Sequence, residues 1–539
     1  MEIYPKIIDA YMKIFYCHLL EQDGTEYFGM NYDSKYIYRR HYEKNMNEVV
    51  YELHMPDIYS KNVEDIDVFY KSAIDYLKHK LRKQLQILDV KDVKKVFYVL
   101  GAFQAEFHGR VNLINCGAEV NLRNAPPIER CILMLVKNRI RVHEIKSICA
   151  VDKNAVQLIF QECIGMDGVQ NGNIKGEIDI RSFCEIYGCA LTIIELIGVR
   201  SLLKMRVFEF PVLQICNGIL KFEGKFDYNT EQFVNRCEMD MIRYEKSFPG
   251  NVKDILDNNF YKEYGFKIDM VKSVAFSKSP LLDNNNLATE TNYANIIYEF
   301  VLILKCSKEE AEKMFKYLCI DEYKRYEKRY DSPEKDENRI FEKCILRIDE
   351  DRYLYSQVLM GYSYIILERK LMFNMLEGCK GVNESIIRKK IKEKFVKETE
   401  QFIRNYNIKT LRNVHKLDNG GVLSNEVDVM YAQRNVLYVV ECKDVSFRFT
   451  PTGFVADISK ERGFIGKLHK KIESVNFNIE YFEKVFNQRI ERIEGCLVYR
   501  TSNFVTETMK NDQGIDIVSA EQFKTRFVEN EKIIDVKRT

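Results

Sequence analysis

Apolar residues recur at helical spacing over 62–85, where Ile66, Phe69, Ala73 and Leu77 fall on one face and predict an amphipathic helix. Further on, Ser307 and Glu310 have the spacing of a capping box and predict a helix through Leu318. The stretch 321–338 is densely charged, contains Pro333 and is the linker candidate. After it, 339–355 reads as two short strands around 349–351, and 356–376 as a helix. Past residue 380 the pattern becomes more regular. A helix is expected from Asn383 and Ser385 to about Tyr406, with Ile391, Phe395 and Phe402 apolar and Glu398 on that same face. A short strand over 408–415 and a loop over 416–425 follow. Then 426–431 alternates polar and apolar, 432–435 suits a hairpin turn, and 436–444 is a strongly β-prone strand ending in charges. A long helix over 459–482, a strand over 495–501 and a closing helix over 520–528 complete an α/β pattern.

Residues 126–164 carry a different signal. Pro126 and Pro127 open a helix through Ile140. Ile145 with Ile148, and Val156 with Ile159, then form two short apolar faces separated by Ala150, Val151 and a capping residue, Asp152. This spacing resembles a helix-turn-helix, with Lys146 in place of the usual small residue and Ala150 in place of the turn glycine. The glycine-bearing stretch 165–176 would be its wing. In that reading Lys153, Asn154 and Gln157 are exposed on the second helix and touch DNA. The alternative is a helical hairpin in an interaction domain.

At 539 residues the chain exceeds one hydrophobic core, and about two to four domains are expected. With 46% hydrophobic and 30% charged residues the composition is that of a soluble globular protein. Only 9 prolines occur and no Gly/Ser tract, so the domains are not strung on flexible linkers. The 15 cysteines are scattered without metal-type pairs, which points to a reducing cytoplasm and to small core residues. No apolar run is expected to reach membrane-spanning length, and the start of the chain lacks the basic-then-apolar pattern of a secretory signal. Net charge is +2, but 381–539 holds 28 Lys and Arg against 23 Asp and Glu, a mild excess that suits a phosphate-binding domain.

The chemistry sits in the hairpin. Glu441 and Lys443 are two apart on one strand and share a face, and Asp428 lies on the adjacent strand. Two carboxylates hold a hard divalent cation such as Mg²⁺, which neutralises a phosphate and activates water, while a lysine orients that water or stabilises developing charge. Asp428, twelve intervening residues and then Glu441-Cys442-Lys443, after an acid-bearing helix, resemble the PD-(D/E)XK nuclease superfamily over roughly 384–530. Val427 stands where a proline often precedes the first acid. The resemblance implies that Asp428, Glu441 and the Cys442 carbonyl bind Mg²⁺ (or Mn²⁺). It further implies that Lys443 is the catalytic lysine, that Glu398 is the helix acid, and that Lys467 and Lys471 of the basic helix grip the nucleic-acid backbone.

The expected organisation is multidomain. An α+β region covers 1–125, a candidate winged helix-turn-helix 126–190 and a mainly helical region 191–380. A C-terminal α/β restriction-endonuclease-like core with a mixed central sheet covers 381–539. The expected function is a metal-dependent endonuclease acting on DNA, in the cytoplasm and away from membranes, and by resemblance a bacterial defence effector. The N-terminal two-thirds would serve target recognition, a protein partner or self-association. Two alternatives stand beside it: a nucleic-acid-binding or scaffold protein on an inactive nuclease core, and a nuclease of RNA or branched repair intermediates.

Overall fold

The computed structural model describes residues 6–12, 32–115, 142–164, 176–204, 209–216, 219–225, 250–277, 287–320, 339–372, 376–379, 390, 392–444, 451–509 and 511–538. The linker candidate 321–338, the expected helix over 126–140, nearly all of the wing and the start of the helix at Asn383 lie outside these residues. The protein mixes helix and sheet and divides into two compact units. One comprises 1–226 and 257–372, the other 227–256 and 373–539. The three regions expected before residue 380 thus belong mostly to a single unit.

In the first unit, helices α1 (Tyr32–Glu52), α2 (Val63–Gln86), α3 (Val90–Asn115), α4 (Val142–Ile164) and α5 (Ile180–Lys204) pack on one another. Asn62 caps α2 by accepting the Glu64 N–H at 3.0 Å, and the expected residues Ile66, Phe69, Ala73 and Leu77 are buried. Strands β1 (Ile58–Ser60), β2 (Glu209–Cys216) and β3 (Ile219–Lys225) form an antiparallel sheet. A four-stranded sheet has the order β4 (Thr289–Thr291), β7 (Tyr353–Tyr355), β6 (Ile345–Arg347), β5 (Cys319–Ile320). The same unit holds α6 (Ile268–Ala275), α7 (Tyr293–Leu304), α8 (Lys308–Leu318) and α9 (Gln357–Met372); Phe300 of α7 and Phe315 of α8 meet Tyr355 and Tyr353 of β7, and α6 packs on α9. The capping box at Ser307 and Glu310 forms as the sequence indicates.

Two expectations fail in this unit. The helix-turn-helix is one continuous helix, α4, and Asp152 sits inside it, buried, accepting a hydrogen bond from the Tyr11 hydroxyl at 2.9 Å. From 152 to 160 every residue of this helix is buried, polar and apolar alike, so no face of that segment is left to solvent. Lys153, Asn154 and Gln157 are consequently buried and cannot present themselves to DNA. Gln157 Oε1 accepts the Ile340 N–H at 3.2 Å, and the Lys153 ammonium bonds the Tyr362 hydroxyl. The second failure concerns apolar length. Among the described residues, Ile180–Arg200 is long and apolar enough to cross a membrane, and 72% of that window is buried inside the fold. Interspersed Arg181, Glu185 and Glu195 hide the run from inspection.

The second unit is built on a six-stranded sheet of order β12-β13-β11-β10-β9-β8. Its strands are β8 (Thr410–Lys416), β9 (Val422–Gln433), β10 (Val436–Lys443), β11 (Arg492–Tyr499), β12 (Asn511–Asp512) and β13 (Ile515–Ser519). The pairs β8/β9, β9/β10 and β12/β13 are antiparallel, whereas β10/β11 and β11/β13 are parallel. The β9–β10 turn uses Arg434 and Asn435, both at positive φ (51° and 60°), the geometry of the two-residue hairpin turn that follows strand twist. Helices α10 (Glu393–Arg404) and α13 (Ala520–Arg538) cover one face, where Phe395, Val396, Ile403, Phe523 and Phe527 pack on Val429, Val440, Cys442, Cys496 and Val498. Helix α11 (Pro451–Phe477) packs on β9, β10 and β11, and α12 (Ile479–Phe486) follows it in the crossover to β11 that parallel strands require.

Candidate functional site

Register explains how Asp428 and Glu441 meet. The β9–β10 ladder runs from Gln433 opposite Val436 to Val429 opposite Val440 and stops there. The next opposed residues would be Asp428 and Glu441, where the strands part while β9 stays paired to β8 at Val427. In place of a ladder bond, the Cys442 N–H donates to Asp428 Oδ2 at 2.8 Å. Side chains alternate along a strand, so Val440 and Cys442 face α10 while Asp428, Glu441 and Lys443 share the opposite face. Both carboxylates are buried (2% and 5% exposed), which makes their charge compensation decisive.

Three ammonium groups supply that compensation. Lys443 Nζ is 2.6 Å from Glu441 Oε1, Lys471 Nζ is 2.5 Å from Glu441 Oε2, and Lys392 Nζ is 3.4 Å from Asp428 Oδ1. Burial drives the Glu441 carboxyl up, but Lys443 and Lys471 outweigh it and hold the group below its usual range. Asp428 is raised instead, by burial and then by the neighbouring Glu441 charge, against the pull of Lys392, the Cys442 N–H and Lys471. Burial alone would lower Lys392, yet Asp428 and Glu441 leave it raised. Lys443 also lies 4.6 Å from the centroid of the Phe464 ring on α11.

The structure therefore brings together Asp428, Glu441 and Lys443 as the sequence indicates. It does not bring in Glu398, whose side chain is 52% exposed and 3.8 Å from Lys394. The inward face of α10 is Phe395, Val396, Thr399, Glu400 and Ile403, and Glu398 lies on its flank. The buried acid of that helix, Glu400, is taken up by Arg404 at 2.7 Å, Arg412 at 3.2 Å and the Thr410 hydroxyl at 3.1 Å. Lys471 is buried on Glu441 and on the Glu426 carbonyl, so it is not a free phosphate grip, whereas Lys467 is exposed. The Cys442 thiol is buried 3.7 Å from the Thr399 hydroxyl, across the sheet from the carboxylates, and only the backbone of this residue faces the site.

Sequence reading missed the contribution of α11. Asp457, Glu461, Phe464, Leu468 and Lys471 follow one another at steps of four and three, a single helical stripe. Glu461 is fully buried, neither of its oxygens meets a donor, and its carboxyl is pushed up to about 8. Burial is the largest cause, Lys443 opposes it, and Asp512 and Asp457 add to it. The signal for this stripe was present as acids and a lysine at apolar-stripe spacing, concealed by the many exposed Lys and Arg around it.

Among the described residues, no group of three or more His, Cys, Asp and Glu is gathered as a metal cluster. Mg²⁺ asks for less, one or two carboxylates with waters completing the shell. Two buried hard-oxygen donors, Asp428 and Glu441, facing each other across the fork, fit such an ion. Comparison with protein-family models, with curated proteins and with solved structures returned no match.

Proposed function

We propose that the second unit is a divalent-cation-dependent nuclease domain of the PD-(D/E)XK type, hydrolysing phosphodiester bonds, in DNA foremost. The observation that carries this reading is the fork of β9 and β10. It holds Asp428 opposite Glu441, buried, with Lys443 projecting from the same face two residues on. Asp428 and Glu441 would hold Mg²⁺ or Mn²⁺, which supplies charge neutralisation and Lewis acidity to the phosphoryl group. The Cys442 N–H sets the orientation of Asp428. Lys443 places an ammonium beside the carboxylates, where it donates to an attacking water or to charge developing on the phosphate. Lys471 tethers Glu441 to α11, and Lys467 offers an exposed cation to the backbone of the substrate. The first unit is left for target recognition, a protein partner or self-association.

One observation favours a second reading, a nucleic-acid-binding or scaffold protein on an inactive core: three ammoniums already neutralise the two carboxylates. The purified protein is to be incubated with labelled duplex DNA, single-stranded DNA, branched DNA and RNA, in Mg²⁺, Mn²⁺ or EDTA. Cation-dependent cleavage supports the nuclease and ranks its substrates. Cation-independent binding without cleavage of any of the four supports the inactive core.

A further inference from the structure

Glu461 has no role in the chemistry above, yet it is the least expected group near it. A carboxyl group that is fully buried and whose oxygens have no hydrogen-bond partner is rare in a folded protein and calls for an explanation. It lies one turn before Phe464 on α11, and the Phe464 ring is 4.6 Å from the Lys443 ammonium. The Lys443 charge opposes the rise of the Glu461 carboxyl, while Asp512 and Asp457 add negative charge around it. The same ammonium is held by Glu441 Oε1 at 2.6 Å. One lysine thus sits on the Glu441 carboxylate and acts on the Glu461 carboxyl, which has no hydrogen-bond partner of its own.

The proposed cation site needs the Glu441 oxygens, and Lys443 occupies one of them. An ammonium and a divalent cation repel, so a cation entering at Glu441 must displace Lys443, and in a buried site a displaced ammonium needs an acceptor. Resting on the nuclease reading, we infer that Glu461 is a positioning residue that receives the Lys443 ammonium when a divalent cation takes its place on Glu441. The Phe464 ring gives the ammonium a second contact on the α11 side. Handover leaves Lys443 beside the cation without competing for its ligand, and it relieves the orphaned state of Glu461.

The test is Mn²⁺ binding to the full chain, by calorimetry and by the electron paramagnetic resonance of free Mn²⁺, with no substrate present. Glu461→Gln should weaken Mn²⁺ affinity at least tenfold, because Lys443 then has no second seat. Glu461→Asp should restore part of it. Lys443→Met removes the competitor, so it should bind Mn²⁺ at least as tightly as the parent, and adding Glu461→Gln to it should change nothing further. Parental affinity in Glu461→Gln overturns the inference. So does a loss of equal size in the Lys443→Met background, which would mark Glu461 as merely structural. Absence of Mn²⁺ binding in the parent, indistinguishable from Glu441→Gln, overturns the nuclease reading itself and the inference with it.

Discussion

Replacing Lys471 with methionine separates the two jobs of the lysines around Glu441. Its ammonium is 2.5 Å from Glu441 Oε2, and the side chains are only 8% and 7% exposed. The same nitrogen also bonds the Glu426 carbonyl. Methionine keeps the apolar stem and the packing of α11 but leaves Glu441 with half its compensation. Removing one partner of a buried ion pair costs about 3–5 kcal/mol. At about 2–4 °C per kcal/mol for a unit of this size, the second unit should melt roughly 6–20 °C lower. Mg²⁺ can take up the freed oxygen, so the variant should gain more from the cation than the parent does; saturation at a hundredfold excess over Kd is worth about 2.7 kcal/mol. Differential scanning calorimetry with EDTA and with Mg²⁺ reads both effects. A drop below about 2 °C in EDTA, or equal Mg²⁺ shifts in variant and parent, would show that Lys471 does not compensate Glu441.

Other expectations follow from the same geometry. Asp428→Asn and Glu441→Gln should each abolish cleavage and Mn²⁺ binding, whereas Lys443→Ala should abolish cleavage and leave Mn²⁺ bound; calorimetry beside a cleavage assay tells them apart. Glu398→Gln should give a Mg²⁺ titration superimposable on the parent's, since that side chain stands outside the site, and a shifted titration would contradict its placement. Gln157→Ala should lower stability by about 1–3 kcal/mol, by leaving the buried Ile340 N–H without an acceptor, and should leave the salt dependence of any DNA binding unchanged. The Glu461 carboxyl, raised to about 8 by burial, keeps a proton that the unfolded chain gives up near the ordinary glutamate value of about 4.5. Its contribution to stability is present in full below the unfolded value and is lost as pH rises toward 8, at up to about 1.4 kcal/mol per pH unit. Urea denaturation between pH 5 and 8 should therefore show a flatter pH dependence for Glu461→Gln than for the parent.

The hairpin was legible because a strand states its own geometry. Alternation placed Glu441 and Lys443 on one face, and the turn at Arg434 and Asn435 set the register that puts Asp428 opposite Glu441. Helix faces were less legible. Phe395 and Phe402 bracket Glu398 at helical spacing, but the buried stripe is centred on Val396, Thr399 and Ile403, a rotation of one residue that turns Glu398 to solvent. Asp152 fits a capping position by type, and only tertiary contact reveals that it serves Tyr11 from mid-helix. Likewise, Glu461 and Phe464 join the site because α11 crosses the sheet at β10, a relation with no local trace in the chain.

On the proposed reading, a cation seated by Asp428 and Glu441 makes this chain cut nucleic acid. Supercoiled plasmid, incubated with the purified protein in Mg²⁺ and scored for nicked and linear product, tests it directly. Product is expected with the parent protein, none in EDTA, and none with a folded Glu441→Gln variant. Equal cleavage by Glu441→Gln and the parent would contradict it.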